Sequence, residues 1–436
     1  MSAHVADTAD IERLLGADGD ARLTPDPVTG LDRYGCAPWP RAVIGFGSCT
    51  ASTVSAAGFA AAGSCLDALR AAAAGRGWEP ARAAVAQRLS AEILAHFGVA
   101  DIAHAVLAAS GTDAARIATG LLTAAAPDAR WDAVLMAATE TGSLVPDAAR
   151  GAHPQATLRH IALRDPDGSP RRPAAVAAAT AAAIAAGGGR TIVHLIDGSK
   201  TGLTAPGPAA AARLQARHPG TEIIVDACQA RLPAARLRRY LEQGWPVLVT
   251  GSKFYGGPPF SGAVLLPRAR RLGGPRGEAS DGSEPSDTAP GVLCRWAAAV
   301  AEMRAYAGVP QAEHRARRRR LAAALRAAFA ADPRFELLPP ASPDQTIFTF
   351  AVRDRAAGER FDLATLGRIH RQMNQDLGAS LGPVARPLCQ IGQPVLAGAV
   401  PALRIAFGAR AASVADLETC LAKLRLLADP VAALAA

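Results

Sequence analysis

The sequence predicts an α/β protein, a three-layer sandwich with a mainly parallel central sheet, followed by a smaller α+β domain at the C-terminal end. Two observations lead to this prediction. From about residue 80 to residue 267, short segments that are apolar throughout alternate with helix-like segments. Strands without a polar face are typical of a parallel sheet that helices cover on both sides. After residue 291 a helix around 293–331 precedes a few strand-like segments, which indicates a second unit.

The individual elements follow from their local patterns. The apolar strand candidates are WDAVLMAAT, TLRHIAL, TIVHLID, TEIIVDA, PVLVTG and SGAVLLP, and the helix candidates are ARAAVAQRLSAEILAHFG, AARIATGLLTAA, PAAVAAATAAAIAAG and PGPAAAARLQARHPG. Residues 268–291 are rich in Gly, Pro, Ser and charge, which predicts a loop. The C-terminal strand candidates are RFELLP, QTIFTFAV and ALRIAFG, with the helix DLATLGRIHRQMNQDLG between them. We therefore expect an N-terminal segment 1–44, a large domain 45–291 and a small domain 292–436.

Composition limits the class of protein. The chain has 436 residues, of which 50% are hydrophobic and 19% are charged, as in globular proteins. The longest apolar tract, 173–189, is too short and too rich in alanine to span a bilayer, so no membrane association is expected. The N-terminal stretch MSAHVADTADIERLLGADGD is acidic and lacks a basic-then-apolar leader. We expect a cytoplasmic protein.

Cysteine spacing and charge exclude two further classes. The seven cysteines are scattered, without a C-x-x-C pair or a histidine at ligand spacing, so neither a metal site nor a disulfide framework is expected. The net charge is +9, and the densest basic cluster lies at 314–331. Its arginines recur along a helix whose other face is alanine and leucine, without interleaved aromatic residues, so no nucleic-acid partner is expected. A basic balance also suits a small anionic ligand.

The stretch TGSKFYGGPPFSG (250–262) places Lys253 between two apolar strand candidates, among small residues. One interpretation is a surface turn whose lysine faces water. The other is a partly desolvated amine with a lowered pKa, as a nucleophilic lysine requires. The stretch alone does not decide between the two.

Other polar residues follow neighbouring strands, where parallel α/β sheets bind their ligands. Ser110, Gly111 and Thr112 open a helix, which provides either an anion site or a plain N-cap. Asp226 follows TEIIV and either meets a cation or caps the next helix. The spacing from Asp226 to Lys253 fits one helix and one strand, so both side chains belong to the same sheet edge. Ser199 ends a third strand there.

Together these residues match the needs of a pyridoxal phosphate pocket. Such a pocket requires a lysine for the imine, an acid to keep the pyridine nitrogen protonated, and donors for the phosphate. The lysine then also carries protons once the substrate amine has displaced it. The combination is therefore a stronger indication than any of its parts.

The order SGTDA, ETGS, SKTG, VDACQA, TGSKFYGG and ALRIAFG resembles the fold type I pyridoxal-phosphate-dependent enzymes, and most closely the class V aminotransferase and cysteine desulfurase superfamily. The resemblance covers about residues 45–410. It implies that Lys253 forms the Schiff base, that Asp226 pairs with the pyridine nitrogen, and that Gln229 touches the ring oxygen with Ser199 near it. It assigns the phosphate to the helix start at Ser110, namely to Gly111 and Thr112, together with Thr250 and Ser252.

The resemblance also carries expectations for substrate and assembly. Arg404, in ALRIAFG, falls where this superfamily holds the substrate carboxylate; the alternative is a surface arginine. The family is usually a homodimer, so a hydroxyl of loop 282–288 reaching the partner's phosphate is one possibility.

The chain departs from the family pattern at two places. Where many class V members stack a histidine on the ring, it reads ATETGS, with Glu140, Thr141 and Ser143. Where they usually read serine-x-histidine-lysine, it reads TGSK (250–253). The ring-stacking residue is therefore unassigned.

Three functions remain open from the sequence. The first is an aminotransferase for an α-amino acid. The second is a C–S lyase or cysteine desulfurase using Cys389, which lies shortly before Arg404 in the chain, with Arg386 as a further anion contact. The third is an inactive binding protein that keeps the fold, against which the intact Asp226 and Lys253 argue. Segment 45–55 (GFGSCTASTVS) is expected to be a loop, with a position over the substrate as the alternative.

Overall fold

In the computed structural model of the chain, the described residues are 7–151, 153, 155–269, 288–339, 345–354, 358–410 and 412–429. The strands are β1 Ile44–Phe46, β2 Ala103–Ala108, β3 Trp131–Met136, β4 Thr157–Ile161, β5 Arg190–Asp197, β6 Thr204–Ala205, β7 Thr221–Asp226, β8 Val247–Thr250, β9 Gly262–Pro267, β10 Phe335–Leu337, β11 Ile347–Val352, β12 Cys389–Ala397 and β13 Val400–Ala406. The helices are α1 Thr8–Leu15, α2 Ala56–Arg76, α3 Trp78–Phe97, α4 Gly111–Ala124, α5 Val145–Arg150, α6 Pro173–Ala185, α7 Pro208–Arg217, α8 Ala234–Glu242, α9 Pro290–Ala307, α10 Gln311–Ala330, α11 Leu363–Met373, α12 Gly378–Leu381 and α13 Val414–Leu427, with a 3₁₀ helix at Pro383–Ala385.

The larger sheet has the strand order β2-β9-β8-β7-β5-β3-β4, with β6 paired to β5. The β3–β4, β3–β5, β5–β7 and β7–β8 pairs are parallel, whereas β9 runs antiparallel to β2 and β8. The predicted mainly parallel central sheet is confirmed. Every segment predicted as a strand between residues 131 and 267 forms one.

Helices cover both faces of this sheet, because its strands alternate between two apolar faces. Ile192, Ile224 and Leu248 pack with alanines and leucines of α4. The opposite face, with Val225 and Val249, packs with residues of α2, α3, α8 and α9. The sheet is therefore the middle layer of the predicted sandwich.

The smaller sheet has the order β1-β12-β13-β11-β10. Its side chains form a second core with α10, α11 and α13. Strand β1 pairs in parallel with β12 (Ile44 with Cys389) and crosses the boundary expected at residue 44. A three-residue strand is too short to give a periodic signal, and it forms because the second sheet offers it an edge.

The helix expected around 293–331 is two helices, α9 and α10. The break falls at Gly308-Val309-Pro310, where the proline cannot donate a backbone hydrogen bond to a continuing helix. The two halves belong to different cores, since α9 packs in the first and α10 in the second. Among the described residues, no helix combines the length and apolar character that crossing a bilayer requires.

Candidate active site

The N-terminus of α4 lies at the carboxyl end of the larger sheet. Ser110 caps it: the hydroxyl oxygen accepts from Asp113 N at 3.2 Å, and the hydroxyl donates to Asp113 Oδ2 at 2.7 Å. A Cβ atom on Gly111 would lie 2.8 Å from Cys228 Sγ and 3.3 Å from Thr250 Cγ2. Only glycine therefore lets the first turn of α4 approach the ends of β7 and β8 this closely. The partly buried Thr112 follows in the same turn.

The ends of β7 and β8 are joined by hydrogen bonds around Cys228. The amide N–H of Cys228 donates to Asp226 Oδ1 at 3.0 Å, and the Thr250 hydroxyl donates to the Cys228 carbonyl at 2.6 Å. Ser252 is buried beside them. These bonds orient the Asp226 carboxylate. They also hold the backbone at Thr250, shortly before Lys253.

Asp226 and Lys253 lie within electrostatic range of the same thiol. Burial raises the pKa of Cys228 well above its usual value, the Asp226 carboxylate raises it further, and the Lys253 ammonium lowers it. Both side chains are partly buried. Among the described residues, no hydrogen-bond or ion-pair partner of the Lys253 amine is found. The predicted acid and amine are thus close together at one sheet edge.

Gln229 and Ser199 are both buried at this edge, with their polar atoms bound to protein. Gln229 Nε2 donates to the Cys49 carbonyl at 2.9 Å, which leaves its second N–H for a ligand. The Ser199 hydroxyl donates to Glu140 Oε2 at 2.6 Å and is therefore directed at Glu140. Gly198 is in close contact with Gln229, where a Cβ atom would lie 3.1 Å from Gln229 Cβ.

Glu140 belongs to a buried polar cluster. Its Oε1 accepts from Arg164 Nε at 3.1 Å, and the Thr201 hydroxyl donates to the same carboxylate at 2.8 Å. Thr141 is also buried, and its Oγ1 has no hydrogen-bond partner within the described part of the chain. Ser143 is exposed. Of the three residues in ATETGS, only Thr141 thus has a buried hydroxyl with unused hydrogen-bonding capacity.

Arg404 is only 3% exposed, so it is not the surface arginine of the alternative interpretation. Its Nε and Nη2 donate to the Gln393 carbonyl at 3.0 and 2.8 Å, Nη1 to the Lys200 carbonyl at 3.0 Å, and Nη2 to Thr50 Oγ1 at 3.0 Å. Four of its five N–H groups are therefore engaged with β12, with the end of β5 and with segment 45–55.

The residues predicted for the desulfurase interpretation lie elsewhere. Cys389 is 0% exposed in the core of the smaller sheet, with its Sγ 3.8 Å from the Pro387 carbonyl. Arg386 is exposed and packs against Gly378. Residues 282–287, which the homodimer expectation invoked, lie outside the described residues. The described part of the chain holds no group of three His, Cys, Asp or Glu side chains suited to a metal ion.

Segment 45–55 was expected to be a loop, but its first two residues belong to β1, because β12 offers them a pairing edge. The rest of the segment lies against the site. Besides the Cys49 carbonyl and the Thr50 hydroxyl, its Ser48 hydroxyl accepts from Arg231 Nη2 at 2.8 Å. Gly47 also forms a bridge to Ala406 of β13. The segment therefore connects the smaller sheet to the carboxyl edge of the larger one. Sequence patterns could not predict this, because each contact joins residues that are far apart along the chain.

Lys200 is a cation at this edge that the sequence reasoning passed over. Its Nζ donates to the Ala138 carbonyl at 3.3 Å, at the end of β3. Burial lowers its pKa to about 8, with Arg404 and Lys253 lowering it further and Glu140 opposing them. A signal was present in the sequence: of the 47 lysines and arginines, only Lys200, Lys253 and Lys423 are lysines. In a chain that uses arginine for nearly every cation, each lysine stands out.

Two more buried groups were missed. His194 on β5 has no partner for either ring nitrogen among the described residues, and burial lowers its pKa to about 4 while Asp226 opposes this shift. Arg231 donates to Thr346 Oγ1 at 3.0 Å and to the Phe407 carbonyl at 2.8 Å. Burial lowers the Arg231 pKa to about 10. For His194, the sequence signal was a histidine inside an otherwise apolar strand. For Arg231 there was no such signal.

Neither a protein-family model nor a curated protein sequence matches the chain. Solved structures do. A NifS-like protein from Rickettsia africae aligns with a TM-score of 0.63 at 11% identity, covering 89% of this chain and 99% of that one. The cystine C–S lyase C-DES, in complex with its reaction product cysteine persulfide, aligns at 0.62 and 17% identity, covering 89% and 97%. The cysteine desulfurase CsdA from Escherichia coli aligns at 0.56 and 15%, covering 88% and 94%. These likenesses confirm the predicted fold.

Proposed function

We propose that this chain is a pyridoxal-phosphate-dependent enzyme that acts on an α-amino acid, with Lys253 as its Schiff-base lysine. The observation that carries the proposal is the convergence at one sheet edge of a carboxylate, a glycine-opened helix start and a lysine whose amine has no partner among the described residues. Gly111 lies against both Cys228 and Thr250. The Cys228 thiol in turn lies within electrostatic range of Asp226 and Lys253. No structural role requires a lysine without partners beside a helix N-terminus.

The residues present fit this cofactor. The close approach at Gly111 leaves no room for a side chain, and the backbone N–H groups of the first turn of α4 are suited to a phosphate. Thr112 and Ser252 supply hydroxyls around that turn, whereas the Thr250 hydroxyl already donates to the Cys228 carbonyl. Asp226 accepts one backbone hydrogen bond through Oδ1, and its other oxygen is available for a protonated ring nitrogen. Thr141, with its buried and unpartnered hydroxyl, is a further candidate contact among the described residues.

Each protein group then has a defined task. When bound, pyridoxal phosphate withdraws electrons from the α-carbon of the substrate. Asp226 holds a proton on the ring nitrogen, because a carboxylate next to that nitrogen favours its charged form. Lys253 anchors the cofactor and afterwards moves protons at its Nζ. Arg404 has one N–H left for the substrate carboxylate and holds Lys200 and Thr50 in position.

For the reaction we favour C–S bond cleavage over the transamination expected first from the sequence. Support comes from the solved relatives named above, one a C–S lyase and one a cysteine desulfurase. Cys389 has no part in our proposal, because its thiol is fully buried in the core of the smaller sheet. We therefore propose a lyase rather than a desulfurase that carries sulfur on Cys389, and we expect a homodimer.

The test begins with cofactor binding. Wild-type protein incubated with pyridoxal phosphate should become yellow, and borohydride should bleach it and leave the cofactor on Lys253, as mapped by mass spectrometry. With only three lysines in the chain, the assignment is unambiguous. Lys253→Ala should stay colourless while Lys200→Ala turns yellow. A colourless wild type, or a label on Lys200, would sink the proposal.

The same holoenzyme then separates the reactions. A C–S lyase releases pyruvate, ammonia and cysteine persulfide from L-cystine and keeps its yellow colour. An aminotransferase converts its cofactor to the colourless amine form until a 2-oxo acid is added. We expect the first outcome, unchanged in Cys389→Ala. Loss of colour without pyruvate would instead support transamination, and loss of activity only in Cys389→Ala would restore the sulfur-carrier role.

A further inference from the structure

The amine of Lys200 makes fewer hydrogen bonds than the amine of Lys423, the fully buried lysine of the chain. Lys423 is fully buried, and its amine donates to two carbonyl oxygens, Gln375 at 2.5 Å and Pro387 at 2.7 Å. The amine of Lys200 instead makes one long bond, 3.3 Å to the Ala138 carbonyl, and stays partly exposed at the sheet edge. The amine thus has two further N–H groups without a partner among the described residues.

The backbone of Lys200 is nevertheless held in place. The backbone N–H of Lys200 donates to the Glu140 carbonyl at 2.9 Å, and its own carbonyl accepts from Arg404 Nη1 at 3.0 Å. The side chain starts directly after Ser199, which is bound to Glu140. Because the backbone at Lys200 is held in this way, only side-chain freedom is lost when its amine meets a ligand.

No nearby acid among the described residues neutralises this cation. Glu140 forms its ion pair with Arg164, and both side chains are buried. Asp197 at the end of β5 pairs with Arg236 at 3.2 Å and accepts from the Tyr240 hydroxyl at 2.8 Å. Asp226 serves the cofactor in the proposed function. Within the described part of the chain, neither Lys200 nor Arg404 has a carboxylate at ion-pair distance.

In the proposed function, Arg404 and Lys200 both lie near the bound amino acid, whose α-carboxylate neutralises only one of these two cations. The arrangement is electrostatically complete when the ligand brings a second negative group, since an unpaired charge in a partly buried site is costly. We propose that the substrate is an α-amino acid with a second carboxylate on its side chain, and that Lys200 binds this carboxylate. The inference rests on the proposed function and specifies its substrate class.

The test compares ligands that differ only in charge. The holoenzyme is titrated with L-aspartate against L-asparagine, and with S-carboxymethyl-L-cysteine against S-carbamoylmethyl-L-cysteine, following the cofactor absorption band. Calorimetry with succinate and with its monoamide provides a readout independent of turnover. Because a charge-assisted hydrogen bond is about twice as strong as a neutral one, we expect the charged member of a pair to bind about 10-fold more tightly.

The variants identify the group responsible. Lys200→Met should abolish the preference, and Lys200→Arg should retain most of it. Arg150→Met removes the same charge from a partly exposed residue of α5 and should leave the preference intact. Equal binding of both members by the wild type, or a preference that survives in Lys200→Met, would overturn the inference while the yellow band still stands. A missing band would instead overturn the proposed function, and the inference with it.

Discussion

Several partly or fully buried side chains at the site contribute charge rather than apolar packing. Lys200, Lys253 and Arg404 are cations at the edge of an apolar sheet, and burial shifts the pKa of Lys200 toward neutrality. His194 differs from these cations. It is buried near Asp226, and neither of its ring nitrogens has a hydrogen-bond partner among the described residues. Burying a polar ring without hydrogen bonds costs free energy, so such a residue makes folding sensitive to pH.

His194 predicts a loss of stability in acid. Its folded pKa is about 4, against about 6.5 in the unfolded chain. As pH falls from about 6.5 to about 4, only the unfolded state takes up this proton, so the free energy of unfolding should fall by about 2–3 kcal/mol. His194→Phe should remove this share, as measured by urea unfolding at several pH values. Other buried groups also contribute to the slope: burial lowers the pKa of His370 to about 4, which acts in the same direction, and raises the pKa of Asp32 to about 7, which acts in the opposite direction. An unchanged pH slope in His194→Phe would contradict the assignment.

Among the elements, helix α4 has the most specific role. Its N-cap, first-turn glycine and hydroxyls are contiguous in sequence, so they could be predicted together. What the sequence could not show is that Gly111 is in contact with β7 and β8, because those strands come much later in the chain. The helix is thus both an anion site and a packing element, and Gly111 serves both.

Gly111→Ala should weaken cofactor binding. The added methyl would lie 2.8 Å from Cys228 Sγ and push the first turn of α4 away from Thr250. We expect the dissociation constant for pyridoxal phosphate, measured by absorbance titration, to rise about 10-fold or more, since overpacking a tight contact costs about 1–3 kcal/mol. Gly120→Ala is the matched control, because a methyl there meets nothing within 4 Å and should stabilise the same helix slightly. Equal effects of the two substitutions would show that Gly111 acts only through helix propensity.

At the scale of the whole molecule, the site lies where the two sheets meet. Arg231, just after β7, donates to Ser48 in segment 45–55 and to Thr346 and Phe407 beside the smaller sheet. It also lies over the ring of Phe254, with its Cζ 5.3 Å from the ring centroid. One arginine therefore joins Phe254, which follows Lys253, to segment 45–55 and to the smaller sheet.

Arg231→Leu should destabilise the fold. The change leaves the Ser48 and Thr346 hydroxyls and a buried carbonyl without their donor, which we expect to cost about 2–4 kcal/mol. Arg238→Leu on α8 is the control, since its exposed ion pair with Asp101 should contribute little to stability. Urea denaturation followed by fluorescence measures both. Similar costs for the two arginines would show that Arg231 does not connect the sheets.

Sequence patterns by themselves determined the layered α/β fold, most strands of the larger sheet, and the candidates Lys253, Asp226 and the start of α4. These are local signals, carried by apolar runs and by the polar residues that end them. Tertiary structure alone decided that Arg404 is buried, that Cys389 belongs to the second core, and that segment 45–55 and Lys200 lie at the site. The physical reason is that burial and charge pairing depend on which distant segments come into contact, and no periodicity along the chain encodes that.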